Sequence, residues 1–238
     1  MKDQQKNTSS SLDPYSSCTV RSLAGMPAKQ GLYDPRYEHD ACGVGFVVNI
    51  KGRRSHEIIE QGLTVLLNLD HRGARGAEDN TGDGAGILLQ LPHKFFQKNC
   101  PDLGIDLPDQ GQYGVAMLFL PKDEDERRIC EERFNAIVRD EGQEVLGWRT
   151  VPTDNRELGS TAVLGEPFVR QVFIGRTVEG PAYDDLPFER KLYVIRKRAE
   201  QEIRYAESGM GDSFYIPSLS CRTIVYKGML LPEQMSFY

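Results

Sequence analysis

From residue 42 onward, segments of strand character alternate with segments whose apolar residues recur every three or four positions, with short turns between them and no internal repeat. A chain patterned this way must pack helices against sheet, because each element carries one apolar face that has to be buried. β-Branched and aromatic content marks strands at 42–50, 87–91, 113–120, 145–151, 169–174, 214–216 and 223–226. The first of these reads as a buried strand with Cys42 at its entrance. Lys51-Gly52 turns the chain, Ser55 is placed to cap a helix, and Ile58, Ile59, Leu63, Leu66, Leu67 and Leu69 give that helix one apolar stripe ending near His71. Pro92 can begin a short helix through Phe96, and 123–141 is a charged helix that turns Ile129, Phe134, Ile137 and Val138 inward. A last helix spans 187–207, where Arg196-Lys197-Arg198 are followed by Glu200 and Glu202. That spacing predicts a solvated face with i,i+4 ion pairs and not an RNA contact.

With 238 residues, 39% of them hydrophobic and 27% charged, the chain can build a substantial core without metals or disulfide staples. Residues 1–30 are the exception. They are rich in Ser, Thr, Lys and Gln with no apolar period, so ordering them is not offset by burial. The organisation expected is a flexible leader over 1–41 and one domain over 42–238. The net charge is −6 and basic residues are scattered, which gives no footprint for nucleic acid or an anionic membrane surface. No apolar run approaches the ~18 residues needed to cross a bilayer, and the start of the chain lacks a signal-peptide core, so a cytoplasmic location is expected. The five cysteines are odd in number, widely spaced and never in a C-x-x-C pair, which fits a reducing compartment and argues against a disulfide framework.

Two features can carry chemistry. One is Cys42 at the head of a segment with Gly43 and Gly45. A cut between Ala41 and Cys42 would free an α-amine, of unperturbed pKa near ~7.7–8.0, beside the thiol, so that one residue supplies both nucleophile and general base. From composition alone, Cys42 reads more readily as a small buried core residue. The other feature is the run from Arg72 to Gly86, dense in glycine and acidic groups and longer than ordinary connections. Within it, Asp79-x-Thr81-x-Asp83-Gly84 departs from a calcium loop at Thr81 and at Gln90, where the bidentate Glu belongs. Gly82-x-Gly84-x-Gly86 lacks the dinucleotide spacing, because Leu89 stands where the last glycine is needed. His39 and Cys42 lack further zinc partners. No metal site and no cofactor are therefore expected in this chain.

Three motifs in order carry a resemblance: Gly31-Leu32-Tyr33-Asp34-Pro35 through His39-Asp40-Ala41-Cys42-Gly43-Val44-Gly45-Phe46, then Leu69-Asp70-His71-Arg72-Gly73-Ala74, then Asn80-Thr81-Gly82-Asp83-Gly84-Ala85-Gly86-Ile87. Together they resemble the start of the glutamate synthase large subunit, a class II glutamine amidotransferase domain of the N-terminal-nucleophile (Ntn) hydrolase superfamily. The resemblance implies an α+β fold, a four-layer αββα sandwich, incomplete here. It implies removal of a propeptide at Ala41/Cys42, with Cys42 as nucleophile on the side-chain amide of L-glutamine, giving L-glutamate and ammonia through a thioester. Arg72 and Gly73 would shape the site, and Thr81, Gly82 and Asp83 would form its wall. Each also has a purely structural reading, Arg72 as a helix-end cation and 81–83 as a glycine turn.

The complete enzyme of that family passes ammonia to 2-oxoglutarate using FMN and an iron–sulfur cluster. The partners implied are the synthase and flavin parts of the large subunit and a small NAD(P)H-oxidising subunit. The family's carboxylate-gripping Arg, its Asn-Gly oxyanion pair and its amine-holding Asp are expected after residue 238. The chain by itself is thus expected to be nearly inert, since losing one oxyanion donor typically costs ~10²–10³ in rate. The alternatives are another class II amidotransferase, of asparagine synthetase or amidophosphoribosyltransferase type, and a non-catalytic interaction domain.

Overall fold

In the computed structural model, residues 29–31, 42–73, 78–177, 184–205 and 213–238 are described. The chain divides into two units, 1–41 and 42–238. Of the first unit only 29–31 are described, exposed, with Gly31 in the left-handed region at φ 56°. The rest of the expected leader, Ala41 included, lies outside the described residues.

The second unit is built on Tyr113–Leu120 (β2), whose sequence YGVAMLFL is apolar on both faces and is almost wholly buried. Such a strand must be central, and it is. The sheet runs β3-β4-β2-β5, with Glu144–Thr150 as β3, Phe168–Gly175 as β4 and Tyr215–Ser220 as β5. β2 and β4 pair from Tyr113↔Gly175 to Leu120↔Phe168 without interruption. Successive side chains point to opposite faces, so each strand feeds two cores. Ala116, Leu118, Leu120, Val172 and Ile174 join one cluster. Val115, Met117, Val169 and Phe173 join the other.

The first cluster is closed by two helices, Glu124–Asp140 (α3) and Leu186–Ala199 (α5). α3 begins where Asp123 Oδ1 accepts the Glu126 N–H at 3.0 Å, satisfying one orphan donor of the first turn. It buries Cys130, Phe134, Ile137 and Val138, three of them among the four residues expected to face inward. α5 starts at a proline-compatible turn and buries Phe188, Leu192, Ile195 and Ala199. It passes into a π-helical turn, Glu200–Arg204, at the point where the expected single helix continued. On its outer face Arg196 pairs with Glu200 at 3.0 Å and Arg198 with Glu202 at 2.8 Å, the i,i+4 pairs the spacing predicts.

The second cluster is closed by a two-stranded antiparallel sheet, Ala85–Gln90 (β1) with Thr223–Gly228 (β6), and by the short helix His93–Asn99 (α2). Ile224 is fully buried there, with Leu89 and Tyr226 packed at its edge. The helix His56–Asn68 (α1) lies along β1, close enough that a Cβ on Gly62 would stand 3.2 Å from Ile87 Cδ1. Among the described residues every strand pair is antiparallel, so the fold is α+β and not a parallel α/β sheet.

One expected strand does not form. Residues 42–49 have no strand or helix assignment, and Val44, Phe46, Val48 and Ile50 are 70–99% exposed. The alternating pattern is genuine, but a strand exists only where another backbone takes up its N–H and C=O groups, and no described segment pairs with this one. Lys51-Gly52 does turn the chain: Gly52 has φ 66° and donates its N–H to Asn49 O at 2.8 Å. Ser55 occupies the cap position of α1 but makes no side-chain capping bond.

Candidate functional site

Cys42 is exposed, and its Sγ is 3.9 Å from Gly43 O, too far for more than a weak contact. Gly45 shows why small residues follow it. A Cβ there would overlap Val65 Cγ1 of α1, so glycine lets this segment lie directly on the helix. The other described cysteines are of a different kind. Cys100, Cys130 and Cys221 are buried, and burial pushes all three thiols up, that of Cys130 to about 11. Thiolate is the reactive form. At pH 8, iodoacetamide followed by peptide mass mapping should modify Cys42 well before these three in the folded protein. Equal labelling of Cys130 would contradict the packing described.

The glycine-rich loop is held at several points. Glu78 Oε1 accepts from Ser160 Oγ at 2.5 Å, while Oε2 accepts from Thr81 Oγ1 at 2.9 Å and from the Thr161 N–H at 3.1 Å. Those donors, that of Ser160 foremost, hold the Glu78 carboxyl below the usual carboxylate range. Ser160 opens a short helix, Ser160–Gly165 (α4), that sequence reasoning missed. The residue before it, Gly159, has no room for a side chain, since a Cβ would strike both Thr81 Oγ1 and Glu78 Oε2. Gly82 is buried, and a Cβ on it would stand 2.5 Å from Leu230 O and 2.8 Å from Leu231 N. Backbone cannot step aside as a flexible side chain can. Gly82→Ala is therefore expected to destabilise the domain by about 1–3 kcal/mol, read as a lower urea midpoint.

The expected site residues are thus distributed unevenly. Thr81 and Gly82 sit together where β1 begins, and Asp83 follows them, exposed. Gly73 closes the single turn Asp70–Arg72, donating its N–H to Asp70 O at 2.9 Å; the Arg72 side chain and residues 74–77 lie outside the described residues. Cys42 itself lines neither of the two cavities that flank β1. Gly43 and Gly45 line a cavity of about 1060 Å³ that reaches Leu91 and His93, whereas Thr81 lines another of about 1010 Å³ with Met117, Tyr226 and Leu230. Ile59, Ile87 and Leu89 border both, so β1 and α1 form the partition between them.

A residue absent from the expected set, Gln234, lies in a turn of 3₁₀ helix, Pro232–Ser236, and reaches the same loop: its Nε2 donates to Asn80 O at 3.0 Å. The available signal was Leu231-Pro232-Glu233-Gln234, with proline at the first helical position and glutamine at the third.

The sequence model of the family described as glutamine amidotransferases class-II matches residues 42–238, beginning at the exposed cysteine. The chain belongs to the class-II glutamine amidotransferases. Among curated relatives, this amidotransferase is 51% identical over 216 residues to the glutamate synthase (NADPH) large chain of Bacillus subtilis (strain 168), covering 90% of this chain and 14% of that protein. It is 41% identical over 220 residues to the glutamate synthase (NADH) of Saccharomyces cerevisiae, 90% of this chain and 10% of that one. It is 38% identical over 207 residues to the chloroplastic ferredoxin-dependent glutamate synthase 2 of Arabidopsis thaliana, 87% of this chain and 12% of that one. The chain therefore spans between a tenth and a seventh of the length of these relatives.

Proposed function

We propose that this amidotransferase domain hydrolyses L-glutamine in a glutamate synthase, with Cys42 as the nucleophile. The observation that carries the reading is the family match that starts at Cys42, the residue at which the second unit also starts and the one exposed cysteine among the four described. Removal of residues 1–41 frees the Cys42 α-amine, which takes the thiol proton. The thiolate then attacks the amide carbon of glutamine, and the tetrahedral oxyanion collapses with transfer of that proton to the leaving nitrogen, releasing ammonia. Water, deprotonated by the same amine, attacks the γ-glutamyl thioester and gives L-glutamate, restoring the thiol. The reading also carries Arg72 and Gly73 as residues that shape the site, and Thr81, Gly82 and Asp83 as its wall. The αββα sandwich of the Ntn hydrolases is part of the reading, supported by two facing sheets with α3 and α5 over one and α1 along the other.

The relatives named above are all glutamate synthases, which favours this reading over an asparagine synthetase or amidophosphoribosyltransferase type. Ammonia would pass to 2-oxoglutarate in the rest of the large chain, with reducing equivalents from a small NAD(P)H-oxidising subunit or another donor. FMN and the iron–sulfur cluster are assigned to those other parts. Among the described residues no three His, Cys, Asp or Glu gather as metal ligands would. A cytoplasmic location belongs to the same proposal; among the described residues no helix is long and apolar enough to cross a membrane.

Intact-mass analysis of the protein from its natural source tests the processing step. A species beginning at Cys42 is expected, and an active enzyme that retains Met1 would overturn the assignment of the α-amine as base.

A further inference from the structure

We propose that Gln234 is a positioning residue for glutamine hydrolysis, holding the backbone of the loop at 80–83 from behind so that its glutamine-facing side stays fixed. The inference rests on the reading that Thr81, Gly82 and Asp83 wall the glutamine site. Gln234 is 3% exposed, and its whole amide is engaged. Oε1 accepts the Leu231 N–H at 2.8 Å, and the two Nε2 hydrogens go to Asn80 O at 3.0 Å and Glu157 O at 3.1 Å. Asn80 O also accepts the Gly159 N–H at 3.3 Å. Three stretches far apart in sequence are tied at one point, and every partner of Gln234 is main chain. A group bonded only to main chain fixes where the backbone goes without regard to the side chains it carries.

The loop needs such a fixture. Gly82, Gly84 and Gly86 follow Asn80 in alternation, and a glycine-rich backbone has many conformations of similar energy unless contacts from outside choose one. Gln234 makes that choice together with two close approaches, Gly82 against Leu230–Leu231 and Glu78 against Ser160 and Thr161. Only an amide of this length fits the arrangement. Glutamate would set carboxylate oxygens against two carbonyls, and methionine would fill the volume while leaving Asn80 O one donor short and Glu157 O without this one.

The test uses the protein at its full coding length, with Gln234→Met and Gln234→Glu beside Thr81→Ala and Asp83→Asn. Steady-state glutamine hydrolysis is measured together with two rates of Cys42 alkylation, one by a glutamine-shaped diazo ketone and one by iodoacetamide. Gln234→Met should raise KM for glutamine about tenfold or more while kcat changes by less than about threefold. Labelling by the diazo ketone should slow in proportion, and labelling by iodoacetamide should not. A folded Gln234→Met protein with unchanged KM, or one in which both reagents slow equally, overturns the proposal. If Gln234→Met does not fold, Glu78→Gln at the other end of the fixture takes its place: a raised KM is expected, and an unchanged one overturns the proposal. Should Thr81→Ala and Asp83→Asn raise KM while the Gln234 variants do not, the positioning role alone fails. Should Thr81→Ala and Asp83→Asn both leave KM unchanged, the wall reading fails and the proposal with it.

Discussion

Replacing Cys42 with serine in the full-length protein is expected to remove glutamine hydrolysis by at least about a thousand-fold, while glutamate synthesis from added ammonia persists. A hydroxyl keeps the size and the hydrogen bonding of the thiol but is far less ionised at neutral pH, so the attacking species is nearly absent. The prediction separates chemistry from folding. Cys42 is exposed and belongs to neither core cluster, so its substitution should leave stability within about 0.5 kcal/mol. Glutamine-dependent and ammonia-dependent rates are measured side by side on the same preparation. Loss of both would point to damage beyond the nucleophile, and retention of glutamine hydrolysis would remove Cys42 from the mechanism.

The largest stability effect is expected at Phe173, in the middle of β4. Its ring is fully buried, lies edge-on to Phe96 of α2 at 5.1 Å and tilts against Tyr113 of β2 at 6.2 Å. Phe173→Ala should lower unfolding free energy by about 3–5 kcal/mol, the sum of lost transfer energy and an unfilled cavity. In urea the midpoint should fall with little change in slope, because the surface exposed on unfolding is nearly the same. Phe173→Leu, which refills most of the space, should cost about half of that or less. The cluster around Phe173 is also what seats β1 and β6 on the larger sheet through Leu89, Ile224 and Tyr226. Loosening it should therefore be felt at the loop that enters β1. A cost below about 1 kcal/mol for Phe173→Ala would mean that the two sheets are not joined by this core.

What was legible depended on how local each signal was. β2 matches its expected limits because eight successive residues are apolar on both faces, which leaves a central strand as the only place to bury them. α3 is legible for the same kind of reason, since Asp123 caps it and its inward stripe is complete within seventeen residues. α4 was not legible, because Ser160–Gly165 is too short to show a period. The segment at 42–50 has the strand pattern without the strand, since pattern reports which face is apolar and says nothing of whether a partner backbone is alongside.

For the site, the candidate nucleophile and the candidate wall were legible in the sequence: a cysteine before alternating glycines and an ordered set of motifs are properties of neighbouring residues, and the family match begins at that cysteine. How the loop at 78–83 is held was set by tertiary contacts. Gln234 bonds Asn80 and Glu157 across 154 and 77 residues of chain, and Gly82 and Gly159 are small because of atoms contributed by remote segments. Hydrogen-bond partners and steric contacts at such separations depend on where folding brings the backbone, and no local spacing encodes them.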